Sequence, residues 1–344
     1  MPTRCLHDGP KRRPRHRGHL LLLLVGLLVV ASGVAWSAGH PKTGGHGLPA
    51  GSLATLVEPA AGYGFVVTQI NGARHRVEIE IYELDDPAVL SALENAQRRG
   101  VAVKVLLDRA YHGGEVNAGT VAALNHAGVR VHRSVKLADP SVIDHEKAVC
   151  IDLVCDILTG NLTPTYYPTS RDFVVIDRRP GDVEAIEASF AADWTGRPPG
   201  PAPLGDDLLW SPGSAPALIG LIASAKHSLL VESEEMAERT VTTALVAAAL
   251  RGVDVEVAMT KNRTYDAAIA RLRAAGVHVT LYTPRGPLYI HAKAIVVDGT
   301  AAFVGSENFS YASLDANREL GLVTSDPEVV EPVAGALASD MAHR

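Results

Sequence analysis

The chain has 344 residues, 47% of them hydrophobic and 20% charged, which allows a substantial core and excludes a disordered, collagen-like or multi-span membrane chain. Three cysteines are too few and too widely spaced for a disulfide scaffold or a four-ligand zinc module. Residues 1 to 39 hold six Lys and Arg and one acid, leaving 26 basic against 37 acidic residues in the body, a balance that repels a polyphosphate backbone unless basic side chains cluster locally.

In chain order, a basic stretch ending at Arg17 precedes an apolar run from Leu20 to Ala35 and the small-residue pattern Ala35-Trp36-Ser37. That is the order of a secretory signal, so residues 1–38 are expected to be a signal peptide or an uncleaved anchor. All its positive charge precedes the apolar run, which places the body outside the cytoplasm, secreted or held by one N-terminal segment. A Gly/His/Pro-rich linker is expected over 39–55.

The rest is an internal repeat. Ile70-Asn-Gly-Ala-Arg-His matches Ile222-Ala-Ser-Ala-Lys-His, Arg99-Gly-Val matches Arg251-Gly-Val, and Ala127-Gly-Val matches Ala275-Gly-Val. Ser170-Arg-Asp-Phe likewise answers Asn317-Arg-Glu-Leu. The first copy, 56–195, predicts strands near 76–82, 101–107, 129–133, 145–151, 154–159 and 172–177, with helices near 86–99, 117–127 and 181–194. A Pro/Gly-rich stretch, 196–207, excludes a helix or central strand and marks a linker, after which 208–344 repeats the order. The fold class is therefore α/β: two repeated halves, each a mixed β-sheet flanked by helices, packed about a pseudo-twofold axis with one shared active site.

The chemistry is carried by His291-Ala-Lys293 with Asp298 five residues on and Gly305-Ser306-Glu307-Asn308 beyond, and by His145-Glu-Lys147 with Asp152 in the first copy. On a strand, residues i and i+2 share a face, so each His projects with its Lys, and a pseudo-twofold axis sets the two pairs across one cleft. Two imidazoles and two ammonium groups suit an anionic substrate with a reacting phosphorus. One imidazole attacks, the other protonates the leaving oxygen, and the lysines neutralise the non-bridging oxygens; no metal or other cofactor is called for.

This pattern resembles the phospholipase D superfamily, whose signature H-x-K-x4-D-x6-G-S-x-N is present twice. The second copy fits every position; the first is one residue short after Asp152, with Thr159 at the Ser position and Asn161 at the Asn. The resemblance implies a phosphohistidine mechanism with His145 and His291 catalytic, the N-terminal His145 favoured as nucleophile. It implies that Lys147, Lys293, Asn161 and Asn308 bind the phosphoryl oxygens, that Asp172 and Glu319 orient the histidines, and that Asp152 and Asp298 are structural, with Thr159 and Ser306 in support. A monomer suffices for such a site. The expected substrate is a phospholipid at a membrane surface, hydrolysed or transferred. A metal-independent endonuclease acting on nucleic acid is one alternative, and a cardiolipin-synthase-like phosphatidyltransferase is another.

Other repeat-equivalent pairs are His75 with His227, expected in solvated turns, and Glu83 with Glu235, which end equivalent strands beside the cleft. Tyr111, Tyr166, Tyr167 and Tyr289 are candidates for apolar surface at its mouth, while Lys261 and Arg263 offer only a small basic patch. A two-residue turn at Asp152-Leu153 would set Cys150 opposite Cys155 as a non-hydrogen-bonded pair with Cα atoms about 4.5 to 5.5 Å apart, within disulfide range.

Overall fold

The computed structural model describes residues 51–109, 117–134, 142–196 and 205–342. The signal or anchor segment, most of both linkers and Tyr111 lie outside the described residues. The first half runs β1 (Leu53–Val57), α1 (Gly64–Gly72), β2 (Arg76–Ile81), α2 (Pro87–Arg98), β3 (Ala102–Leu107), α3 (Ala118–His126), β4 (Arg130–Arg133), β5 (Lys147–Ile151), β6 (Val154–Leu158), β7 (Ser170–Arg171), β8 (Phe173–Asp177) and α4 (Pro180–Trp194). The second runs β9 (Leu208–Ser211), α5 (Ala215–Ser224), β10 (Ser228–Glu232), α6 (Arg239–Leu250), β11 (Asp254–Thr260), α7 (Asp266–Ala274), β12 (His278–Tyr282), β13 (Tyr289–Ile290), β14 (Ala294–Val297), β15 (Ala301–Gly305), α8 (Tyr311–Asp315), β16 (Glu319–Thr324) and α9 (Pro327–Met341). No helix among the described residues is long and apolar enough to cross a membrane.

Each half builds a seven-stranded mixed sheet, β1-β8-β6-β5-β2-β3-β4 and its counterpart β9-β16-β15-β14-β10-β11-β12. β2, β3 and β4 pair in parallel, and the strands on the other side of β2 pair antiparallel. The repeated Arg-Gly-Val and Ala-Gly-Val signatures end the helices that lead into parallel strands. Gly100, Gly128, Gly252 and Gly276 take φ of 88°, 78°, 90° and 90°. A Cβ at any of them would meet nothing within 4 Å, so the backbone angle, not crowding, requires glycine. At the other ends, Asp86 accepts from Ala88 N (2.8 Å) and Asp326 from Glu328 N (2.9 Å), with Pro87 and Pro327 at the first helical position.

Three apolar cores follow. In the first, one face of the first sheet (Val77, Ile79, Val105) packs on α1 and α2 through Val66, Ile70, Val89 and Leu93, and the second half repeats this on α5 to α7. The third core joins the halves. It takes Cys150, Cys155, Ile157 and Val175 from the first sheet, Val296, Ala302, Val304 and Leu322 from the second, and Val329, Val333 and Leu337 from α9. The two repeats are thus one folding unit with a shared interior.

Three expectations need correction. β1 begins at Leu53, inside the segment expected to be linker, because Leu53 to Val57 find an antiparallel partner in β8. The strand expected from residue 145 begins at Lys147: His145 N instead donates to Arg318 O (2.9 Å) in the other half. The H-x-K segments are therefore not regular strand. Each lysine folds back, Lys147 Nζ donating to His145 O at 2.8 Å. Finally, Cys150 and Cys155 are in the expected register and bonded, but their Cα atoms are 4.0 Å apart, closer than expected.

Candidate active site

The motif hairpins explain their own aspartates. Asp152 and Asp298 turn the chain at φ 52° and 51°. The Asp152 carboxylate accepts from the backbone N–H groups of Arg74, His75 and Arg76, and Asp298 from those of Lys226, His227 and Ser228. Slight burial raises each carboxyl pKa, but the three N–H donors outweigh it and hold both below the usual range. Each aspartate thus ties its turn to the start of β2 or β10, and His75 and His227 are exposed residues of those tied loops. The first hairpin turns with Asp152-Leu153 and the second with Asp298-Gly299-Thr300, which accounts for the missing residue in the first motif. Thr159 and Ser306 still land alike. Thr159 Oγ1 donates to Asp172 Oδ1 (2.7 Å) and accepts from Phe173 N (2.9 Å). Ser306 accepts from Leu320 N (3.1 Å) and bonds to Glu319.

The halves exchange their orienting acids. His145 Nδ1 lies 2.7 Å from Glu319 Oε2, and His291 Nδ1 2.8 Å from Asp172 Oδ1, each across the interface. The exchange is built by backbone: β13 pairs in parallel with β7, and Asp144 bridges Arg318 in the same way on the other side. It is locked by Arg171 Nη2 to Asp340 Oδ1 (3.0 Å) and Arg318 Nη2 to Asp193 Oδ2 (2.7 Å), both again between halves. A carboxylate only accepts, so both histidines carry Nδ1–H and turn Nε2 toward the cleft.

Both histidines line one cavity of about 740 Å³, together with Asn161, Asn308, Asp172, Glu83, Glu234, Glu235 and the rings of Tyr63, Tyr82, Tyr166, Tyr167 and Tyr289. The side-chain oxygens of Asn161 and Asn308 have no hydrogen-bond partner among the described residues. Lys147 and Lys293 are fully buried beside the histidines. Lys261 and Arg263 are exposed and lie outside the cavity wall.

The electrostatics of the pairs differ. Burial, reinforced by the Lys147 and Lys293 ammonium groups, pushes the His145 imidazole down to about 4 against the pull of Glu319, so it is neutral at pH 7. Burial also lowers Lys147 to about 7. Glu319 resists its own burial because His145 and Lys147 hold its carboxyl below the usual value. His291 has a second carboxylate within reach: Glu234 Oε2 lies 3.4 Å from its Nε2 and 3.1 Å from Lys293 Nζ, and Tyr289 OH donates to Glu234 Oε1 at 3.1 Å. The sequence reading paired Glu83 with Glu235 and passed over Glu234, whose repeat partner is Tyr82. Tyr82 sets its ring edge-on to His145, centroids 5.1 Å apart, and 5.6 Å from Lys147 Nζ.

Behind the first motif, carboxylate oxygens of Glu80, Glu146 and Asp193 lie within 4.8 Å of one another, the one metal-competent grouping among the described residues; Arg318 supplies their counter-charge.

Residues 66–194 and 218–341 each match the family model described as "Cardiolipin synthase, PLD-like domain". Cardiolipin synthase A of Erwinia tasmaniensis is 28% identical over 319 residues, covering 76% of this chain and 63% of its own length. That of Pseudomonas aeruginosa is 27% identical over 338 residues, covering 84% and 66%. The chain therefore spans a little under two thirds of the curated relatives it matches. Among solved structures, phosphatidylserine synthase of Haemophilus influenzae superposes with a TM-score of 0.68 at 11% identity, over 85% of this chain and 86% of that one. Polyphosphate kinase of Porphyromonas gingivalis gives 0.66 at 18%, over 84% and 50%; at these identities the likeness is one of fold. With a doubled motif, an exchanged pair of orienting acids and a family match over most of both halves, this chain belongs to the phospholipase D superfamily and carries two PLD-like domains around one cleft.

Proposed function

We propose that the protein is a phosphatidyltransferase, moving the phosphatidyl group of one phospholipid onto an alcohol through a phosphohistidine. The observation that carries the reading is the convergence of two histidines on one cavity, each with a fully buried lysine beside it, one imidazole neutral and the other between carboxylates. His145 Nε2 attacks phosphorus, the bond to the head-group oxygen breaks, and His291 gives that oxygen its proton. An acceptor alcohol then loses its proton to His291 and attacks the phosphohistidine, which frees His145. Lys147, Lys293, Asn161 and Asn308 hold the non-bridging oxygens.

The sequence favoured hydrolysis. The cardiolipin synthase relatives support transfer instead, since in such a site water and alcohol differ only in which one reaches the intermediate. The wall also bears on substrate class: Glu83, Glu234 and Glu235 oppose a strand of phosphates, whereas a phospholipid presents one phosphate to two lysines. An extracytoplasmic site fits the N-terminal charge pattern and the Cys150–Cys155 disulfide.

The test is to incubate the full chain in mixed micelles with phosphatidylglycerol, with and without added ethanolamine. Lipid products carrying a new head group, or a dimeric phospholipid, are the expected result. Phosphatidic acid alone would return the assignment to a hydrolase, and cleavage of single-stranded DNA without lipid turnover would move it to a nuclease.

A further inference from the structure

Behind the first His/Lys pair the fold buries two carboxylates that the second half lacks. Glu80 on β2 and Asp193 on α4 face Arg318, and the equivalent place behind the second pair holds Glu232, Asp340 and Arg171. To this shared triad the first half alone adds Glu146 and Asp144, where the second half has Ala292 and Ile290. We propose that Glu80, Glu146, Asp144 and Asp193 form a binding site for one calcium ion, held between β2, α4 and the segment that carries His145 and Lys147. Such a site is structural, and it stands apart from the question whether water or an alcohol accepts the phosphatidyl group.

Carboxylate oxygens of Glu80, Glu146 and Asp193 lie within 4.8 Å of one another. A calcium ion, bonding oxygen at about 2.3 to 2.6 Å, reaches that spread from its centre. Asp144 is a fourth side chain aimed at the same place: its carboxyl and that of Asp193 each come within hydrogen-bonding reach of Glu80. Carboxylates only accept, and both oxygens of Glu80, both of Glu146 and Oδ1 of Asp144 receive no hydrogen bond from the described residues. Glu80 is 1% exposed, Glu146 0% and Asp144 7%, so bulk solvent does little for them. Arg318 takes Asp193 Oδ2 at 2.7 Å and stays 3.8 Å from Glu146 Oε2, which leaves Asp193 Oδ1 for the ion. With every acid ionised, each triad carries one negative charge; Glu146 and Asp144 take the first cluster to three, and a dication returns it to one. Glu319 and Asp172 also stand nearby, but they are matched between the halves and bonded to the histidines. Asp108, which faces Asp144 as well, accepts from Ser134 Oγ and from Asp144 N. An all-oxygen donor set suits hard cations. Magnesium demands a near-ideal octahedron and retains several waters, which a buried, irregular group of carboxylates does not supply, whereas calcium accepts such a group. Protons offset the same charge when no ion is bound, so the two compete for these oxygens.

The full chain, stripped with EGTA and desalted, should bind one calcium ion in equilibrium dialysis. Calcium at about a hundredfold excess over its Kd should raise the thermal unfolding midpoint by about 5 °C over the value in EGTA. Magnesium at the same concentration should raise it less. Glu146→Ala, which copies Ala292 of the second half, should lose both the ion and the calcium-dependent rise, while unfolding in EGTA no lower than wild type. If Glu146→Ala does not fold, Asp144→Ile, which copies Ile290, carries the same test and should weaken calcium binding by about tenfold or more. Calcium bound equally well by wild type and the variant would sit elsewhere, at the cleft acids Glu83, Glu234 and Glu235 for instance, and overturns the site. No bound calcium and an unmoved midpoint in the wild type overturn it as well, and an equal rise with magnesium overturns the choice of ion. None of these outcomes bears on the transfer reading, which the lipid products decide.

Discussion

His145 and His291 sit at matching positions of two halves that share sheet order, hairpin, helix-ending glycines and crossed acids, and yet they stand in unlike surroundings. The likeness lies in what the backbone needs: Asp152 and Asp298 capping loops, Thr159 and Ser306 bonding the acids, Arg171 and Arg318 reaching across to Asp340 and Asp193. The unlikeness lies at positions the backbone leaves free. Tyr82 stands opposite Glu234, Glu146 opposite Ala292, and Gly160 opposite Glu307. Gly160 has its own reason, since a Cβ there would come within 2.8 Å of the Asp172 carboxyl. A duplicated fold thus supplies two matching frames, and a few unmatched side chains give the two histidines unlike surroundings.

The largest expected effect separates the two histidines. On phospholipid, His145→Ala and His291→Ala should each lower turnover by about three orders of magnitude or more, because nucleophile and acid act as a unit. An aryl phosphodiester whose leaving group needs no proton should part them. His291→Ala should then show a burst of released phenol and accumulate phosphoenzyme, and His145→Ala should show neither. A burst from His145→Ala would reverse the roles of the halves.

Much of this was legible in the sequence, for identifiable reasons. The doubled His-x-Lys gave the cleft, the Arg-Gly-Val and Ala-Gly-Val repeats gave the helix ends, and the alternation of Cys150 with Cys155 around a short turn gave the disulfide register. The crossing of Asp172 to His291 and of Glu319 to His145 was not legible, because each spans over a hundred residues and both a crossed and an uncrossed pairing satisfy the repeat. Glu234 was missed for a different reason. Comparing copies selects residues that agree, such as Glu83 with Glu235, whereas the residue that distinguishes the halves is by definition a mismatch. A mismatch at the carboxyl end of a parallel strand, where α/β sheets place their ligands, was the available signal.

A smaller effect tests the buried acids behind the two motifs. Glu80, fully buried among Glu146, Asp144 and Asp193 with Arg318 as the nearby cation, has its carboxyl raised well above the usual value, first by burial and then by those neighbours. Its counterpart Glu232, also raised by burial, has Asp340 and Asp172 beside Arg171, with Ala292 and Ile290 where the first half has Glu146 and Asp144. A carboxyl whose folded pKa lies above its unfolded one binds a proton on folding, so the fold loses stability as pH rises past the ordinary glutamate value toward the folded one. Glu80→Gln keeps the donor and removes the titration. Its midpoint of thermal unfolding should exceed wild type by about 3 °C at pH 8, with the gap closing near pH 5. Glu232→Gln should gain less. A fall in midpoint for Glu80→Gln at pH 8 would mean that Glu80 is ionised in the fold.

The smallest effect concerns the hairpins themselves. Cys150 faces Cys155 in the first, and Val296 faces Ala302 in the second, at the same register and in the same shared core. The second half therefore shows that the hairpin holds with an ordinary apolar pair. A disulfide closing so short a loop removes little freedom from the unfolded chain, about 2 kcal/mol by the loop-entropy relation and less where the turn is already favoured. The double variant Cys150→Val with Cys155→Ala copies the second half into the first and keeps the pocket filled. Its unfolding midpoint should drop by no more than about 4 to 6 °C, and its kcat/KM should stay within about twofold of wild type, since neither sulfur lines the cavity. A loss of activity without a loss of stability would show that the first hairpin, unlike the second, depends on its cross-link to place His145 and Lys147.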